Sequence, residues 1–209
     1  MKYLLGIDFG GGASKATLID TNGSIIAENT VEYPTLYPEN GACEQAPVDW
    51  INALCENSKA LLSKSGIDAG DILAVALDSA THTSLVCDKD FKPLRNAMHW
   101  TDTRSRAEAD KLREELGEEI FKKTYHKPDT IWTLPQLAWL CENEKETFQK
   151  IAYVFFEKDY SRYFGCYNSY ERHKRFCRFY KRGRKSGGDD ICFFTNDIFN
   201  KIRKKRIPS

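Results

Sequence analysis

Gly6-Ile7-Asp8-Phe9-Gly10-Gly11-Gly12-Ala13-Ser14-Lys15 sets a carboxylate near the end of a short apolar run, Tyr3 to Phe9, and follows it with three glycines. A run of that length bounded by glycine reads as a strand ending in a tight turn, because glycine supplies the positive φ such turns need. Lys15 to Asp20 and Ile25 to Val31 repeat the pattern on either side of Asn22-Gly23, so the chain opens with three strands joined by turns. Asp8, at a strand end, is placed to hold a hydrated Mg²⁺. The glycine N–H groups beside it can approach phosphate oxygens closely, and Lys15 adds a point charge. The turn is neither a Walker A sequence nor a G-x-G-x-x-G opening a helix, and read alone it is equally a plain hairpin.

Working outward, Ile51, Leu54, Cys55, Leu61 and Leu62 recur at helical spacing behind Pro47, which suits a first helical turn. Ile72 to Asp78 reads as a strand buried on both faces, with Ser84 to Cys87 as its neighbour and the polar run Ser79-Ala80-Thr81-His82-Thr83 between them. Asn96 to Trp100 is strand-like. A long helix is expected over Thr103 to Lys123, with Ala109, Leu112, Leu116 and Ile120 on one face and Asp102 stabilising its N-terminal dipole. Thr133 is placed to cap a further helix carrying Pro135 in its first turn, and Ile151 to Phe156 reads as another buried strand. Strands alternating with helices predict an α/β sheet layered with helices. Trp100, Trp132 and Trp139 read as core; Trp50 is either core or a ring that stacks on a sugar.

The chain has 209 residues and a mass of 24.0 kDa, and its 41% hydrophobic content is enough to bury a core, which excludes wholesale disorder. No run approaches the roughly 18 apolar residues of a membrane span, and no signal-peptide core follows Met1, so a cytoplasmic location is expected. Seven cysteines without a C-x-x-C pair indicate neither a disulfide framework nor a zinc site. The net charge of +1 is a cancellation. Residues 1–160 hold 17 lysines and arginines against 26 acidic residues, whereas residues 161–209 hold 14 against 4. Apolar periodicity weakens after Tyr160. It is missing over 165–190, where packing is not expected, and is partly regained from Ile191 to Ile202. Fourteen basic residues with interleaved aromatics would suit a phosphate backbone, but no recognition-module signature accompanies them, and nucleic acid is not the expected partner.

Several spaced blocks occur together in one order. They are the Asp8 to Lys15 turn, Gly41-Ala42-Cys43-Glu44-Gln45-Ala46-Pro47 with Trp50, Ser79 to Thr83, Pro93 to Arg104 (PLRNAMHWTDTR), Thr130 to Pro135, and Glu157 to Tyr160. The turn resembles the first phosphate-binding turn of the superfamily of actin, heat-shock ATPases and sugar kinases. The whole set, over residues 1–163, resembles the N-terminal part of the FGGY carbohydrate kinases, especially xylulokinase-like ones. The resemblance implies an incomplete ribonuclease-H-like α/β domain over 1–163, with a three-strand opening and flanking helices, followed by a basic tail over 164–209.

The resemblance also implies an activity: phosphorylation of a hydroxyl on a pentulose-like sugar or polyol by ATP with Mg²⁺. Asp8 would organise the metal, while Gly10, Gly11, Gly12 and Lys15 would face the phosphates. Gly11 and Gly12 stand where many members have Thr or Ser, so a hydroxyl contact is lost. His82 would contact the sugar hydroxyls, with Asp102 and Arg104 bordering that pocket. Turn histidines satisfied by the backbone are the competing reading of His82. The family's catalytic aspartate and adenine-holding domain have no counterpart in these residues, so a truncated or frameshifted, inactive chain is expected. The alternative is a non-catalytic sugar- or partner-binding module with a basic tail.

Overall fold

The computed structural model describes residues 1–167. In chain order it contains β1 (Tyr3–Phe9), β2 (Ala13–Asp20), β3 (Ile25–Glu32), β4 (Glu44–Gln45), α1 (Pro47–Ser65), β5 (Ile72–Ser79), β6 (Leu85–Cys87), β7 (Ala97–Met98), α2 (Arg106–Thr124), α3 (Thr133–Asn143), α4 (Lys145–Lys150), β8 (Tyr153–Phe155) and α5 (Glu157–Tyr167). The main sheet has the order β3-β2-β1-β5, antiparallel except for the parallel pair β1 and β5. The three-strand opening and the α/β architecture are therefore present.

Strand alternation sorts the sheet's two faces. Leu5, Ile7 and Phe9 of β1, with Ala16 and Leu18 of β2, are buried together with Trp50, Ala53, Leu54 and Leu61 of α1 and Tyr160 of α5. On the other face Leu4, Gly6 and Asp8 are exposed, as are Ala74, Ala76 and Asp78 beside them. α1 begins at Pro47 and ends at Gly66, whose φ of 66° lets its N–H close on the Leu62 carbonyl.

Five expectations change. β5 is not buried on both faces: among the described residues it is the outer strand of the sheet, and Leu73 is 48% exposed. β6 does not pair with β5 but with β8, because the chain turns away through His82 at φ 65° and Ser84 bridges to Met98. α2 starts only at Arg106, with Ser105 as its N-cap, so Asp102 lies outside its first turn. Trp132 takes the N-cap position of α3, and the Thr133 hydroxyl is engaged by His82 instead. Trp100 is 42% exposed and Trp132 half-buried, so neither is a core residue. The stretch expected to lack packing, 165–190, lies outside the described residues except for 165–167, which continue α5. Among the described residues no helix is long and apolar enough to cross a membrane.

Candidate functional site

The register places Asp8 opposite Lys15 on β2 and beside Asp78 on β5, so three charged side chains form one row across the ends of the strands. Lys158 Nζ, at the start of α5, lies 3.7 Å from Asp78 Oδ1. Next to this row the glycine turn is fixed from behind. Tyr33 donates its hydroxyl to the Gly10 carbonyl at 2.6 Å and its N–H to the Gly12 carbonyl at 3.1 Å. The Gly11 carbonyl accepts from Gln45 Nε2 at 2.8 Å and from the Thr35 hydroxyl. Gln45 is held in turn by Trp50 Nε1 at 3.1 Å. With the carbonyls of residues 10 and 11 held by these donors, peptide planarity turns the N–H groups of Gly11 and Gly12 the opposite way. Those N–H groups are the donors an anion needs.

The turn also fits an anion sterically. A Cβ on Gly12 would meet nothing within 4 Å, so that side is open. On Gly11 a Cβ would press on His99 Nε2 at 3.3 Å. Asp8 is exposed and unencumbered enough to hold a hydrated cation beside a phosphate, which is the donor set Mg²⁺ takes.

His82 stands where the chain leaves β5, and Ala80 N–H ties that departure to the Phe9 carbonyl at 3.3 Å. Its Nδ1 is 3.0 Å from the Thr133 hydroxyl, and its ring meets Trp132 edge-on at 4.5 Å and Phe156 at 5.5 Å. Burial, and then the neighbouring His126, lower its pKa, so the imidazole is neutral. The left-handed backbone of a non-glycine residue is held here by these contacts, a kind of strain that gathers at functional positions.

Asp102 and Arg104 come together, but with each other. Asp102 is fully buried, and its carboxylate accepts Cys43 N–H at 2.9 Å, Arg104 N–H at 3.0 Å and Arg104 Nη2 at 2.7 Å. Arg104 also reaches Glu44 at 2.7 Å and Glu39 at 3.2 Å, with its guanidinium 4.6 Å over the Trp139 ring. Burial disfavours the Arg104 charge, but Asp102 and Glu44 outweigh it and keep the group ionised. Arg95 completes the network with bonds to Glu44 and Glu144. This buried lattice ties the loop before α2 to β4 and α3.

Two groups went unread in the sequence. Glu157, the first residue of α5, is fully buried; the Thr83 hydroxyl and the Ala80 N–H approach its carboxylate and partly offset its burial, but neither closes a well-formed hydrogen bond to it. Burial, with the Asp8 charge adding to it, pushes its pKa up to about 8. The second is His99, whose Nε2 is buried without a partner against Gly11. Both lie inside blocks of the family resemblance, Glu157 to Tyr160 and Pro93 to Arg104, but nothing in the spacing or residue types of those blocks gives either one a role.

Residues 3–164 match the family model described as the FGGY family of carbohydrate kinases, N-terminal domain. Xylulose kinase from Bacillus subtilis (strain 168) is 35% identical over 163 residues, covering 78% of this chain and 33% of that protein. Gluconokinase from the same strain is 31% identical over 159 residues, covering 76% and 31%. Among solved structures, that of a xyloylose kinase from Brucella ovis superposes with a TM-score of 0.75 at 30% identity, covering 78% of this chain and 34% of that one. The chain thus spans about a third of the length of the relatives it matches.

Proposed function

The chain belongs to the FGGY family of carbohydrate kinases, and from that premise we propose that it supplies the phosphate turn and part of the acceptor site of an ATP-dependent kinase for a pentulose-like polyol. The observation that carries the reading is the row of Asp8, Lys15 and Asp78 beside a glycine turn whose carbonyls are held from behind. A pre-set ring of N–H donors pays no reorganisation cost when charge arrives, which is how phosphoryl transfer is assisted. In this reading Asp8 holds the hydrated Mg²⁺, which when bound neutralises phosphate charge. Gly11 and Gly12 bind the phosphates through their backbone N–H groups and Lys15 adds a positive charge, whereas Gly10, expected to face the phosphates, spends its N–H on the Ala13 carbonyl at 2.9 Å and shapes the turn instead. His82, neutral and fixed through Nδ1, presents its ring to a sugar hydroxyl. Asp102 and Arg104 act as a paired wall bordering that hydroxyl's pocket, with Asp102 orienting Arg104.

Residues 1–163 form the family unit in this proposal and residues 164–209 a separate basic segment. The 209 residues bind their ligands but do not transfer phosphate, because no proton acceptor for the sugar hydroxyl and no base-binding domain is recognised in them. Asp78 pairs with Lys158 beside the metal position, and Asp102 is fully engaged, so neither is placed to take that proton. A coupled assay over pentuloses, hexoses, glycerol and related polyols is expected to show no sugar-dependent ATP consumption above background. Turnover that disappears in Asp8→Asn or Asp102→Asn would contradict the proposal and make the short chain a complete kinase.

A further inference from the structure

The imidazole of His99 is 5% exposed, and its two nitrogens are treated very differently. Nδ1 lies 2.8 Å from the Thr101 hydroxyl, which itself lies 3.1 Å from Cys43 Sγ and donates to it. The Thr101 N–H also points at Nδ1, at 3.4 Å, so these contacts are met by either tautomer, and in both the neutral ring keeps one lone pair free to take a further proton. Nε2 is buried, has no partner among the described residues, and stands 3.3 Å from the point where a side chain on Gly11 would begin. Leaving a buried polar atom unsatisfied costs about 1–3 kcal/mol. The ring is nonetheless pinned there: His99 N–H donates to the Cys43 carbonyl at 2.8 Å, and its carbonyl accepts from Asp102 N–H at 2.9 Å and from Gln136 Nε2 at 3.3 Å.

We propose that His99 is the charge-compensating residue of the glycine turn: a phosphate-class anion seated on the N–H groups of Gly11 and Gly12 is matched by a proton taken up from solvent by the His99 ring. The inference rests on the reading of that turn as a phosphate site and adds a residue to it. The geometry gives the reason. Gly11 interposes no side chain between the ring edge and the turn, so an anion on the exposed turn and the buried ring are separated by little more than a peptide unit, close enough for their charges to interact.

The groups facing His99 favour the protonated ring when an anion is present and not otherwise. Burial lowers its pKa, while the Asp102 carboxylate opposes that effect. Arg104 neutralises Asp102, Cys43 is reached only through Thr101, and the Trp100 ring packs 5.6 Å away without charge. With its own partners so balanced, His99 is neutral until a further negative charge arrives. Each unit by which the anion raises its pKa makes anion binding tenfold tighter once the pH is below the unshifted value, and the gain fades as pH rises through the shifted one.

The test follows His99 ring nitrogens and the amides of residues 10–12 by NMR in the full chain, titrated with inorganic triphosphate and Mg²⁺, with orthophosphate and ATP as separate arms. The expected result is amide shifts at the turn together with a His99 pKa raised by about one unit or more. A triphosphate or ATP effect without an orthophosphate effect assigns the anion to a nucleotide's phosphate chain, and an equal orthophosphate effect assigns it to free phosphate. Shifted amides with an unmoved His99 would overturn this inference and leave the phosphate turn standing. If neither amides nor ring respond, the phosphate turn fails and the inference with it. As an independent measurement, His99→Phe keeps the ring volume and removes the nitrogens. It is expected to bind triphosphate several-fold more weakly at pH 5 than the natural chain, with the difference gone at pH 9. Equal affinity at both pH values in a folded variant would overturn the proposal.

Discussion

Glu157→Gln will make the chain more stable than its parent at pH 9 by about 4 kcal/mol, and the two will be nearly equal at pH 4. The sign follows from the direction of the shift. Burial raises the native pKa from an ordinary 4.5 to about 8. Below the ordinary value both native and unfolded chains hold the proton, and the group has no effect on stability. Between the two values the unfolded chain releases it and the native chain keeps it, so native stability falls by about 1.4 kcal/mol per pH unit. Above about 8 the native carboxyl ionises as well and the loss levels off. Glutamine keeps the shape without the charge. His82 and His99, both with lowered pKa values, lose stability in the other direction as pH falls, but they do so equally in both chains. Urea midpoints at several pH values measure the difference directly. Parallel curves for the two chains would show that Glu157 is solvated or paired.

Trp50→Ala is the other large effect, at about 3–5 kcal/mol by urea denaturation. Trp50 is fully buried in the main core and meets Tyr160 edge-on at 6.5 Å. Its loss does more than leave a cavity. Trp50 Nε1 holds Gln45, and Gln45 holds the Gly11 carbonyl, so one core residue supports the glycine turn through a single intermediate side chain. The variant should therefore lose anion affinity even under conditions where it remains folded. A cost below about 1 kcal/mol would mean that Trp50 is not the centre of this core.

The parts of the fold governed by local rules were legible in the sequence. Glycine turns announced β1 to β3, and Pro47 with its apolar period announced α1. Apolar content alone could not tell whether a strand is covered: ILAVALD reads as doubly buried, yet among the described residues it forms an outer strand with one face open. β4 and β7 have two residues each, too few for any period to show. α5 was hidden because its run is polar and aromatic, and its burial depends on α1 and β5. The site divides in the same way. Asp8, the glycines and Lys15 follow from one hairpin and were readable as a group. The engagement of Asp102 by Arg104, of Gln45 by the turn, and of His99 by Gly11 joins residues 34 to 88 positions apart or only two apart across a bend, and pairings of that kind have no linear signature.

In the proposed reading the chain recognises the phosphates of a nucleotide and not its base. Calorimetric titration of the full chain with Mg-ATP and with Mg-triphosphate tests it most directly. Affinities within a factor of about three of each other, under 1 kcal/mol apart, are expected, and both are expected to be lost together in Asp8→Asn. Clearly tighter binding of ATP than of triphosphate, or of ATP than of other nucleoside triphosphates, would contradict this reading.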